Sequence, residues 1–202
     1  MMTTEQLSKA LIAPALIAAL SACAARPEAH FYSVSSTSAA PGSGAQPPRI
    51  LVSPVVIPPM IDRPQMVVQT TGHEIEVLEN HRWAEPLSVD LGRALVDDLR
   101  RARPQLDVVT ADAPRTQAPT FFLDIAIAQL LTGPSSTSLQ ASWVLHDRQR
   151  NCVYGGHLEA AIPTQAGYGA IAAAYADAMA RLADAIARTI PEEGACGGGG
   201  RS

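Results

Sequence analysis

The sequence predicts an α+β domain: a single, mostly antiparallel or mixed sheet with two helices packed on it. Three observations carry that reading. Apolar residues alternate along two long stretches, Phe121, Leu123, Ile125, Ile127 and then Leu139, Ala141, Trp143, Leu145, the period of strands with one buried face. Apolar residues recur at helical spacing in two others, Leu87, Leu91, Leu95, Leu99 and Ile171, Tyr175, Met179, Leu182, Ile186, Ile190. Between them lie short β-branched runs bounded by proline, such as "RILVSPVVIP". The order is strands, helix, four strands, helix, which suits helices laid on one sheet.

Taken from the N-terminus, residues 1–22 read as a secretory signal. Lys9 and Glu5 cancel, an uncharged run extends from Ala10 to Ala22, and small residues stand at its exit. The run is too short to span a bilayer, which takes roughly 20 apolar residues. Its ending, "LSAC" (Leu20 to Cys23), resembles a bacterial lipobox, where cleavage precedes a cysteine that carries lipid. The Cys23 thiol can be alkylated by a diacylglyceryl donor, and each buried CH₂ of an acyl chain adds about 0.8 kcal/mol of anchoring. Ala24 follows, rather than the aspartate that retains such proteins at the inner membrane, so the expected location is the periplasmic face of the outer membrane.

Residues 23–48 read as the lipidated N-terminus and a tether rich in Ser, Ala, Gly and Pro. As a flexible coil from Ala24 to Arg49 it would reach roughly 25–30 Å. Phe31 and Tyr32 interrupt it, and "HFYSV" reads as a short strand. The domain itself is expected over residues 49–191. "RILVSPVVIP" is a strand interrupted at Pro54, and "PQMVVQTTGHEIEVLE" is two strands around a turn at Thr71-Gly72. In the second of these, Ile75 and Val77 alternate with Glu74 and Glu76, which predicts one buried and one wet face.

Pro86 suits the first turn of the first helix. Arg100, Arg101 and Arg103 crowd its end, where cations complement the helix dipole, and Pro104 stops it. "QLDVVTA" is a short strand, and three meander strands follow, joined by "TGPSSTS" and "DRQRN". The last helix ends at Pro191, and residues 192–202 are a Gly-rich tail.

Composition narrows the chemistry. Apolar residues make up 47% and charged residues 17%, enough for a packed core, and the net charge of −4 argues against a nucleic-acid binder. Lys9 is the single lysine, so the mature chain carries none. A phosphate-binding P-loop and Schiff-base chemistry are thereby excluded. His30, His73, His81, His146 and His157 form no metal motif, since Val77 stands where H-E-x-x-H needs its second histidine. No nucleophile elbow is present. The expectation is a protein with no catalytic residues, no metal and no cofactor. Cys152 and Cys196 are candidates for a disulfide in an oxidising periplasm, the alternative being two free thiols.

Three segments carry a family resemblance: Phe31-Tyr32 after the lipid cysteine, the turn Asp62-Arg63-Pro64-Gln65, and Arg82-Trp83-Ala84-Glu85-Pro86-Leu87 opening a helix. With "LQASWVLHD" they resemble the ABC-type transport auxiliary lipoproteins, the PqiC-like family, over most of residues 20–190. The linker "PGSGAQPP" and the Cys-bearing tail depart from that pattern. The resemblance implies a non-enzymatic accessory role beside an MCE-type transporter that moves lipids between inner and outer membranes. It implies an MCE-domain periplasmic protein as partner, and family members are expected to assemble as rings, which makes this chain a candidate homo-oligomer. Arg63, Gln65, Arg82 and Glu85, bordering the two matching motifs, are the partner-binding candidates. Read without the resemblance, Asp62–Gln65 is only a turn, Trp83 is core, and Arg82 pairs with Glu85 at the helix end. The competing function is a lipoprotein regulator of another envelope machine, such as a cell-wall synthase.

Overall fold

The computed structural model describes residues 29–34, 47–72, 74–114 and 117–191. One compact unit begins at Phe31. Its elements are β1 (His30–Tyr32), β2 (Arg49–Val52), β3 (Gln65–Gln69), β4 (Ile75–Trp83), α1 (Leu87–Ala102), β5 (Asp107–Thr110), β6 (Phe121–Thr132), β7 (Ser136–Asp147), β8 (Cys152–Pro163) and α2 (Tyr168–Thr189). The architecture is the expected one: two helices on a mixed, unclosed sheet of eight strands.

β6 is the spine. One of its edges is filled along its length by β7, antiparallel, from Phe121↔Asp147 to Thr132↔Thr137. The other edge is divided. β2 takes the first part in parallel, Ile50 to Val52 against Phe121 to Leu123; Val56 bridges to Ala126; and β3 takes the far end at Val68↔Thr132. The break at Pro54 expected from sequence separates β2 from Val56, since proline gives the ladder no N–H. β5 pairs outside β2, β4 outside β3, β1 outside β4, and β8 outside β7.

The alternation read in the sequence matches what is buried. Phe121, Leu123, Ile125 and Ile127 of β6 and Leu139, Ala141, Trp143 and Leu145 of β7 face the core, while Gln140, Ser142 and His146 face out. The leucine stripe of α1 and the apolar stripe of α2 close over them in one cluster. Trp143 is seated by Gly156 on the neighbouring strand, where a Cβ would lie 2.5 Å from the indole. Its Nε1 donates to Thr189 Oγ1 at 3.1 Å, and Tyr175 OH donates to Leu130 O at 3.2 Å, so α2 is tied to the sheet at both ends. Burial pushes the Tyr175 phenol well above its ordinary pKa. The alanines of α2 are also buried, Ala174, Ala178 and Ala183 among them, and their small side chains let α1 pack closely against α2.

Two local readings change. The three arginines at the end of α1 do not simply answer that helix's dipole. Arg100 Nε donates to Val108 O, Arg101 pairs with the buried Asp98 at 2.9 Å, and Arg103 donates to Ala187 O and Ile190 O. Arg103 thus caps α2, the neighbouring helix. The hairpin β3–β4 turns at Gly72 as expected, with φ of +86°, but its burial does not alternate from Ile75. Ile75 is exposed and Leu78 is the first buried residue of β4. The reason is that β6 ends at Thr132, opposite Val68, so the hairpin tip beyond it has no third strand to lie on.

Candidate docking surface

The turn before β3 is wound tightly. Ile61 N and Asp62 N both donate to Pro58 O, Arg63 N donates to Ile61 O, and buried Ile61 holds the loop down. Asp62, Arg63 and Pro64 are left exposed. Trp83 N then donates to Pro64 O at 2.8 Å, which sets the turn against the end of β4. Gln65 and Arg82 are paired across the two strands. Gln65 Nε2 donates to Glu79 Oε2 at 3.1 Å, and Arg82 Nε donates to Glu79 O at 3.1 Å. Gln65 and Arg82 therefore lie side by side and half-buried where the turn carrying the exposed Arg63 meets the end of β4.

Glu85 is directed elsewhere. It takes a two-pronged ion pair from Arg93, at 2.5 and 2.7 Å, and not the expected contact with Arg82. The Arg93 guanidinium holds its carboxyl below the usual carboxylate range. Trp83 is core, as expected of it when the resemblance is set aside: it is buried and stacks on Tyr175 with ring centroids 5.3 Å apart.

The N-terminal segment is built into this corner. Ala84 N donates to Tyr32 O at 2.7 Å, adding β1 to the edge of β4. One turn into α1, the fully buried Asp90 receives Val34 N at 2.6 Å and the Ser33 hydroxyl at 3.3 Å, with Arg93 3.6 Å away. A carboxylate in the helix's first turn is favoured by the dipole, and here it also satisfies a buried backbone donor. Tyr32 OH lies 3.3 Å from His81 Nδ1, and His81 stacks on Tyr168 at a centroid distance of 3.4 Å. Asp90, Arg93, Ser33 and Val34 are not among the sequence candidates. The available signal is an aspartate lying between Leu87 and Leu91, at a spacing that puts it on the apolar stripe of the helix.

Cys152, at the start of β8, is disulfide-bonded. Cys23 and Cys196 lie outside the described residues. Among the described residues no group of histidines, cysteines and carboxylates is arranged to hold a metal ion, and no helix is long and apolar enough to cross a membrane. A cavity of about 480 Å³ opens over Leu51, Val109 and Phe122 under Pro114 and Pro119. Arg49 at its side is engaged by Asp107 and by the carbonyls of Pro114 and Gln117.

Fold and surface define a class: a small α+β module whose N-terminal segment is a strand of its own sheet, next to an exposed polar turn. Within that class, the chain belongs to the ABC-type transport auxiliary lipoprotein component family, which it matches over residues 32–187. No curated protein matches it in sequence. Among the solved structures that share the fold are two examples. A crystal structure of an uncharacterized protein aligns at TM-score 0.66 and 18% identity, covering 80% of this chain and 97% of the other. The protein XCC0632 from Xanthomonas campestris, of a family of unknown function, aligns at TM-score 0.59 and 18% identity, covering 77% and 91%.

Proposed function

We propose that this auxiliary lipoprotein is anchored through Cys23 at the periplasmic face of the outer membrane and serves, without catalysis of its own, an MCE-type ABC system that moves lipids between the two membranes. Its role is to hold the MCE-domain protein where the lipid path meets the membrane. The match over residues 32–187 carries the reading, because it begins at Tyr32 and takes in both signature segments. The corner formed by Arg63, Gln65 and Arg82, with Glu85 beside it, is the proposed docking surface. Its polar groups sit on a braced turn, so they meet a partner with little left to order. With Cys23 lipidated, Cys196 is the one cysteine left to pair with Cys152, and the bridge would fasten the tail to the start of β8.

The test is co-purification of the full lipoprotein with an MCE-domain periplasmic protein from the same cells. Arg63→Glu should reduce recovery of the partner at least tenfold while thermal unfolding stays within about 2 °C, as expected of a surface charge. Normal recovery by the folded variant would move the docking face elsewhere. A Cys23→Ala control should remain as unlipidated precursor.

A further inference from the structure

We infer that the domain seats its β1 edge directly on the phospholipid leaflet that holds the Cys23 lipid, with Phe31 and Tyr168 as the contact residues and Tyr32 and His81 as the platform behind them. The inference rests on the proposed lipidation of Cys23 and adds an orientation to it.

Chain length is the first argument. Tyr32 is a strand residue fixed to Ala84, and Val34 is fixed to Asp90, so the domain begins at the far end of a short lead. From Cys23 to Phe31 is eight residues (31 minus 23), which span at most about 26–29 Å when fully extended. β8 alone, with twelve residues, runs roughly 36 Å. β1 is joined through the Tyr32–His81–Tyr168 contacts to the start of α2, which follows the Pro163 end of β8. The lead is thus too short for the opposite, Cys152 end of β8 to face the membrane while β1 points away from it.

Surface chemistry is the second argument, and it is independent of the first. Phe31 is 65% exposed and Tyr168 41%, and these are the large aromatic side chains left in solvent among the described residues. Both belong to this one end. Rings with an apolar body, or with a hydroxyl at the tip, settle at the headgroup level of bilayers. The stacked His81 fixes Tyr168, so the ring is presented without a rotamer search.

The experiment uses the full lipoprotein in vesicles of phosphatidylethanolamine and phosphatidylglycerol whose acyl chains carry bromine, a contact quencher of indole. A tryptophan is introduced by Tyr168→Trp, and in a second protein by Val153→Trp at the distant end of β8. Intact mass establishes the lipid on Cys23 in each sample. The added emission of Tyr168→Trp should fall at least twofold in brominated against plain vesicles and that of Val153→Trp by less than a tenth. Adding Phe31→Ser to Tyr168→Trp should cut that quenching by half. Equal quenching at the two positions in mass-verified protein, or quenching that is greater at 153, overturns the seating while leaving lipidation intact. An unlipidated mature Cys23 overturns both. Should Tyr168→Trp not fold, hydrogen exchange of the native lipoprotein decides: slowing at residues 31–34 and 81–84 on vesicles supports the seating, and no slowing there overturns it.

Discussion

The sheet is held in two different ways. In the β6–β8 half, each strand pairs with its neighbour in sequence through an uninterrupted or nearly uninterrupted register, and α2 covers the result. In the corner of β1, β4 and α1, single contacts join residues far apart: Tyr32 with His81, Ser33 and Val34 with Asp90. The meander is stabilised by area, many apolar side chains each adding burial. The corner is stabilised by a few polar groups that must all be matched, because one missing partner leaves a buried donor unsatisfied.

Breaking the meander should have the largest effect. Trp143→Ala removes a buried indole together with its bond to Thr189, and should cost about 3–5 kcal/mol in chemical denaturation. A loss below that of the corner variant described next would reverse the ranking of the two regions. Asp90→Ala deprives Val34 N and the Ser33 hydroxyl of their acceptor, and should cost about 1–3 kcal/mol. Hydrogen exchange sharpens the comparison: the Val34 amide should lose protection while the amides of β6–β8 keep theirs. Uniform loss across both regions would show that the corner is not a separate cooperative unit.

The smallest effect is at Glu85. Its folded carboxyl titrates below the ordinary glutamate value because Arg93 binds the charged form. The pair therefore contributes above the unfolded pKa and its contribution is lost as pH falls through the folded one. The glutamate side chain is 32% exposed and its arginine 53%, so the contribution is a few tenths of a kcal/mol. Glu85→Gln should lower stability by that amount at neutral pH and should be indistinguishable from the parent in acid. A variant that stays less stable at low pH would mean that shape, rather than charge, is what Glu85 supplies.

What is legible in the sequence follows the same division. Strand and helix periods are local, so Phe121 to Ile127, Leu139 to Leu145 and both helix stripes can be placed from residue spacing alone. The shared edge of β6 is not legible, because parallel pairing of β2 and β3 leaves no mark on either strand alone. Ile75 misleads because a period of two says which side chains share a face, not whether another element covers that face. Gln65 and Arg82, which border two separate motifs in the sequence, are cross-strand partners, a pairing that neither motif shows alone. Glu85 does not join Arg82, because Arg93, two turns into the helix, offers two donors in a fixed fork that matches a carboxylate. Asp90 is visible in the sequence only as an oddity on an apolar stripe, and its partners at Ser33 and Val34 sit in a segment that composition assigns to a tether.

The divided edge of β6 also fixes how the molecule would carry a mechanical load. A pull on the N-terminus enters at β1, which single contacts hold to β4 and α1; once those part, the load runs along the chain to β2, the next element in sequence. β2 grips one end of β6 through its own parallel ladder. Tension would therefore detach β1 first and bear next on β2, leaving β3 and β4 paired with each other. The β6–β8 meander would stay whole while β2 holds. The lead and its corner act as a fuse that yields before the body does and can close again when the tension is released.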